Sequence, residues 1–173
     1  MSKYIILARS INIGGANVVK MAELREHLTK KGFEKVATYI QTGNFIVQSK
    51  LDKEEVSQQI KDILIEEFNV KLPQLVVLTK ADYVAIMQNN PYDEKCFVYF
   101  RISPDPIDPP TQELNGDRYQ AIGGALYFSL GPKNRFTNSK LIRIVESKVK
   151  KVFHTARNWN TCQKLLELLN KDD

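Results

Sequence analysis

Apolar and polar positions follow two rhythms along this chain, and the switches between them predict its elements. Residues 3–8 contain an apolar run, Tyr4-Ile5-Ile6-Leu7-Ala8, of the length of a buried strand. From about 21 to 31 the period becomes helical, with Met21, Leu24 and Leu28 on one face and Gly32 as the stop. Strands at about 34–41 and 44–49 flank a Thr42-Gly43 turn whose glycine suits a positive φ. A helix at about 53–68 places Val56, Ile60, Ile63, Leu64 and Phe68 on one side, and 74–78 is the next strand. The order is β-α-β-β-α-β, that of a ferredoxin-like unit.

The second half repeats this order. Thr79 and Asp82 mark a capping-box-like helix start, Tyr83, Val84 and Met87 face inward, and Asn90-Pro91 ends the helix. A strand at 96–102 leads into a proline-rich connection over 103–110 and a short helical turn at about 110–115. Strands near 118–122 and 125–130 join through Gly123-Gly124. A helix at about 139–150 carries Leu141, Ile142, Val145 and Val149, a short strand is expected at 152–154, and a last helix presents Trp159, Cys162, Leu165, Leu166 and Leu169 as one stripe. The fold expected is α+β: two tandem ferredoxin-like α/β plaits, each followed by a helix, over 1–79 and 80–173.

That topology gathers chemistry. In each unit the first two strands run one way and the last two the other, so loops 9–20 and 41–44 share one end of the first unit. Segments 131–138 and 155–160 share an end of the second. Gly14-Gly15, between a strand and a helix, would let backbone N–H groups approach a phosphate, or would simply give a loop freedom in φ and ψ. Neither G-x-G-x-x-G nor G-x-x-x-x-G-K-[ST] is present, which excludes dinucleotide and P-loop readings on spacing. Arg9 and Lys20 suit a carboxylate or phosphate, with a salt bridge to Glu23 as the structural alternative. Asn12, Gln41, Thr42 and Asn44 would read a polar edge, although Asn and Thr beside Gly are also ordinary turn residues. In the second unit, Arg157 and Asn158 would hold an anion with Trp159 stacking on a ring, or Asn158 would cap the last helix and Trp159 anchor it. Arg135 and Lys140, with Lys133 and Arg143, extend the basic surface.

Three of these stretches carry a resemblance: 7–15 continuing through Lys20-Met21-Ala22-Glu23-Leu24; Tyr39-Ile40-Gln41-Thr42-Gly43-Asn44; and Thr155-Ala156-Arg157-Asn158-Trp159-Asn160-Thr161 with Lys164-Leu165. Together they resemble the bacterial domain-of-unknown-function family 1697 over nearly the whole chain. The chain departs at Ser10, where that family more often has glycine, and at Ala16. The resemblance implies a cytoplasmic α/β protein of two plait-like subdomains, and it implies no activity, substrate or cofactor.

Charge changes the picture in one respect. The net charge is +5, yet residues 131–173 hold ten Lys/Arg against four Asp/Glu, a local +6. The rest holds 15 against 16. An acidic or phosphate-bearing partner fits this asymmetry, as does a solvated helix face. No apolar run reaches membrane-spanning length and no signal-peptide pattern opens the chain, so a cytoplasmic protein with no membrane partner is expected. Enzymatic signatures are sparse. His27 and His154 lie in no metal-ligand spacing, there is no nucleophile elbow, and Cys96 and Cys162 do not form a redox motif, so no metal or cofactor is expected. A faint echo of an RNA-binding strand in Gly43-Asn44-Phe45-Ile46-Val47 lacks the full aromatic pattern. The reading is a protein that binds an anionic ligand, a nucleotide or nucleic-acid phosphate. Its rivals are an enzyme acting on a small phosphate- or carboxylate-bearing substrate and a protein-interaction module using the basic C-terminal segment.

Overall fold

The computed structural model describes residues 1–92, 96–101, 113–149 and 154–172. The chain is α+β, with two antiparallel sheets and, among the described residues, five helices. It forms two compact units, one of Met1–Val84 with Lys164–Asp173 and one of Ala85–Gln163. Segment 164–173, which element order groups with the second half, lies with the first.

In the first unit, β1 (Ser2–Arg9), α1 (Met21–Lys30), β2 (Glu34–Tyr39), β3 (Asn44–Ser49), α2 (Lys53–Phe68) and β4 (Gln74–Thr79) follow in order. The sheet order is β2-β3-β1-β4, with every neighbouring pair antiparallel. β1 and β2 therefore run the same way. Alternate residues of β1 and β3, Tyr4, Ile6, Ala8, Phe45 and Val47, pack with Leu24 and Leu28 of α1 and Val56, Ile60, Ile63 and Leu64 of α2. The opposite face is buried too: Ile5, Leu7 and Ile46 are almost fully covered. Lys3, in register with that face, donates from Nζ to the carbonyls of Leu169 (3.0 Å) and Lys171 (2.9 Å), which places the end of the last helix there. α2 starts on a capping box in which Asp52 Oδ1 accepts from the Glu55 N–H and Glu55 Oε2 from the Asp52 N–H.

α3 (Lys80–Gln88) opens on the reciprocal Thr79–Asp82 pair expected for its start. The second unit then holds β5 (Phe97–Arg101), β6 (Glu113–Leu114), β7 (Asp117–Ile122), β8 (Ala125–Ser129), α4 (Lys140–Val149) and β9 (His154–Asn158), and α5 (Trp159–Asn170) begins in it. The sheet order is β6-β7-β8-β5-β9. Leu141, Ile142, Val145 and Val149 of α4 cover Tyr99, Tyr119, Leu126 and Phe128.

Two expectations are corrected here. Residues 113–114 are a strand rather than part of a helical turn, because Asn115-Gly116, both at positive φ, turn them back onto β7. Residues 155–158 are strand rather than loop, each paired with β5 from Phe97↔Asn158 to Phe100↔Thr155. The connection at 103–110, the turn residues 110–112 and the start of the expected strand at 152–153 lie outside the described residues.

Candidate functional site

The loop that leaves β1 is built on Asn12. Its backbone sits at φ 55, and its carboxamide donates from Nδ2 to the carbonyls of Val19 and Gln41, both at 2.8 Å. Its Oδ1 accepts from the Val19 N–H at 2.6 Å. One side chain thus fixes the loop to itself and to the β2–β3 turn. Asn12 is spent on architecture, and a ligand would have to displace those bonds to reach it.

Gly14 and Gly15 both have positive φ and form the tip of a small hairpin closed by the Ala16 N–H to the Ile13 carbonyl at 3.0 Å. The helix begins only at Met21, so the glycines are a reversing turn and do not lead directly into its N-terminus. Gly43 is different. A Cβ there would lie 2.9 Å from the Ala8 Cβ and 3.0 Å from Ile11 Cδ1, and its carbonyl accepts from the Ala8 N–H at 2.8 Å. Only glycine lets the β2–β3 turn close onto the end of β1. Asn44 is fully buried and donates to Thr42 Oγ1 at 2.8 Å and to the Tyr39 carbonyl at 3.2 Å. Of the residues expected here, Arg9, Lys20, Gln41 and Thr42 remain on the surface with Gly14 and Gly15, and Lys20 pairs with Glu23 at 3.4 Å. Register confirms their common end: Leu7 stands opposite Asn44, and Arg9 opposite Gln74.

In the second unit, β8 and β9 flank β5 and run the same way, with Phe128 and Asn158 both opposite Phe97. Segments 131–138 and 158–160 accordingly leave one end of the sheet, and Phe136 packs on Phe97 with ring centroids 4.7 Å apart. Arg157 is half-buried and donates from Nη1 to Thr155 Oγ1 at 2.6 Å and to the Ala156 carbonyl at 2.8 Å. Asn158 Oδ1 accepts from the Thr161 N–H at 2.8 Å, an N-cap for α5, and Trp159 is the half-buried first residue of that helix. Lys133, Arg135, Lys140 and Arg143 are exposed.

The residue that shapes this segment is Asp117, which sequence reasoning passed over. It is buried on β7, and its Oδ1 accepts from the Gly131 N–H (2.8 Å) and Asn134 Nδ2 (2.7 Å). Its Oδ2 accepts from Ser139 Oγ at 2.6 Å. Ser139 Oγ in turn accepts from the Ile142 N–H at 3.1 Å and so caps α4. The available signal was Asn115-Gly116 immediately before it, a strong hairpin pair that fixes which face Asp117 takes.

Cys96 and Cys162 are buried and neither is joined in a disulfide. Burial pushes the Cys96 thiol up to about 11, against a smaller lowering by its hydrogen bond with Asn90, so it is not a thiolate at neutral pH. Among the described residues no group of three or more His, Cys, Asp or Glu is placed to hold a metal, and no helix is long and apolar enough to cross a membrane.

An α+β chain of two antiparallel sheets, with turns built on asparagine and glycine, is the class this geometry defines. Comparison with known proteins agrees with it. Residues 1–127 match the family described as protein of unknown function DUF1697, and the chain belongs to that family. Among solved structures, the conserved bacterial protein SP0830 from Streptococcus pneumoniae is similar at 23% identity. Its TM-score is 0.70, and the alignment covers 98% of this chain and 99% of that one. That likeness is one of fold. No curated protein matches.

Proposed function

We propose that this protein binds an anionic, phosphate-bearing ligand, a nucleotide or nucleic-acid backbone, through exposed cations held on fixed turns of two α/β plaits. The strand orders β2-β3-β1-β4 and β7-β8-β5-β9 support the tandem-plait reading. One observation carries the functional one. Lys133, Arg135, Lys140 and Arg143 are all exposed around the start of α4, whose first turn contains no acid.

The N-terminus of a helix is its positive end, so Lys140 and Arg143 raise the energy of the unliganded protein. An anion there meets the helix dipole and four side-chain cations together. The Asp117 carboxylate beneath the segment is enclosed by its own donors. Arg9 and Lys20 provide a second, smaller cationic surface at the β1 exit, with Gln41 and Thr42 as neutral hydrogen-bonding groups beside it.

The sheet-face mode of RNA recognition is disfavoured. Phe45 and Tyr4 belong to the helix-side core, and Ile5, Leu7 and Ile46 on the other face of the first sheet are aliphatic and buried. The expected mode is phosphate contact from loops and a helix end.

The test is fluorescence-anisotropy titration of labelled single-stranded RNA and DNA, with nucleotides as competitors. The Arg135→Ala/Lys140→Ala double variant should weaken binding by about tenfold to a hundredfold, and Arg9→Ala by less. Equal affinity in wild type and double variant would remove the site. Retained binding of an acidic protein without any binding of phosphate compounds would favour the interaction module.

A further inference from the structure

We infer that the β1-exit end of the first unit docks onto the surface of a bilayer containing anionic phospholipid, inserting four aliphatic turn residues. Those residues are Ile13, Val18, Ile40 and Leu72, exposed by 64, 56, 50 and 90%; the other large hydrophobics exposed among the described residues are Met1 and Ile65. They come from three separate turns, and hydrogen bonds tie the turns together. Asn12, next to Ile13, bonds the carbonyl of Gln41, next to Ile40, at 2.8 Å. Asn17, next to Val18, accepts from the N–H of Lys71, next to Leu72, at 3.4 Å.

Two of the four occupy a backbone state that aliphatic side chains avoid. Ile40 and Leu72 both have φ 48, the left-handed region where glycine or asparagine is better tolerated. Exposed and strained, these side chains contribute little to folding. Their presence at such positions points to a contact made outside the chain.

The occupant follows from shape, composition and charge. The tips project: a Cβ built on Gly14 or Gly15 meets nothing within 4 Å. Projecting side chains on separate turns suit a deformable phase, whereas a protein partner needs a matched pocket for each. The residues are aliphatic, while the anchors of protein interfaces are enriched in Trp, Tyr and Arg and poor in Leu and Val. Turns 9–20, 40–43 and 69–73 contain Arg9, Lys20 and Lys71 and no carboxylate. The nearest acids in sequence lie on helices outside these turns. Glu23 of α1 pairs with Lys20 at 3.4 Å and offsets its charge, and Glu67 of α2 is 3.6 Å from His27, so Arg9 and Lys71 supply the basic character. Apolar tips above basic roots match the acyl boundary and the anionic headgroups of a membrane surface. A surface contact of this kind needs no spanning segment, which is all that the apolar-run criterion addresses.

The inference does not rest on phosphate binding around α4, and the two fail separately. The experiment is cosedimentation of the full chain with phosphatidylcholine vesicles, with and without phosphatidylglycerol, alongside the Ile13→Ser/Leu72→Ser variant. Both substitutions are at the surface, and an unchanged thermal transition checks the fold. Wild type should bind the phosphatidylglycerol vesicles, and the variant should bind at least about tenfold more weakly while its oligonucleotide affinity stays the same. No vesicle binding at low salt, or equal binding by the variant, would overturn the inference. Self-association of the wild type that the variant loses, without vesicle binding, would overturn it in favour of a protein interface.

Discussion

Asp117 illustrates how much one buried side chain can decide. Its two oxygens satisfy a backbone N–H, an amide and a hydroxyl, and the hydroxyl then caps α4. Asp117→Ala leaves two buried donors, the Gly131 N–H and the Ser139 hydroxyl, and the half-buried Asn134 amide without that acceptor, and urea unfolding should show a loss of about 3 kcal/mol. Asn12 is the counterpart in the first unit, where two hydrogen bonds close its own loop and a third joins that loop to the β2–β3 turn. Leu72 works in the other direction. Replacing it with glycine at φ 48 removes left-handed strain, so Leu72→Gly should raise stability by about 1 kcal/mol in the same assay. Ser10, at φ 61, likewise occupies a position where glycine fits without strain.

At the scale of elements, the helices were readable because their apolar positions repeat strongly: Val56, Ile60, Ile63 and Leu64 are the buried face of α2. Its capping box was not singled out, yet Asp52→Ala should cost about 1 kcal/mol by chemical denaturation. The α4 start separates stability from function. Lys140→Glu places a favourable charge at the helix's positive end and should stabilise the fold by about 0.5 kcal/mol while weakening anion binding. β9 was hard to read for a physical reason. His154-Thr155-Ala156-Arg157-Asn158 is an edge strand of mixed polarity, held by pairing with β5 rather than by an apolar rhythm of its own. β6 was missed because two residues are too few to show a period. Loops 9–20 and 41–44 were placed at one end correctly, since strand direction alone sets that. Which of their side chains were spent inside was not legible, because Asn12 and Asn44 have the same chemistry as hydrogen-bond hubs and as ligand contacts.

For the whole molecule, the interior of the second unit makes a prediction about alkaline pH. Burial raises the Cys96 thiol from 9.0 to about 11 and raises the Tyr127 and Tyr92 phenols as well. The unfolded chain therefore loses these protons first. Between about pH 9 and 11 the native state holds more protons than the unfolded one, so stability should fall steadily as pH rises through that window. Thermal melts across it check the sign. The thiol should also react with disulfide reagents only on unfolding.

The basic segment at the head of α4 is the centre of the functional account, and salt is the variable that tests it most directly. Affinity for single-stranded RNA should be measured from low to near-physiological salt and plotted as log K against log salt. Four cations engaging phosphates predict a linear fall with a slope of about −3, reduced to about −1.5 in the Arg135→Ala/Lys140→Ala variant. A flat line, or a slope that the variant leaves unchanged, would contradict phosphate recognition at this site.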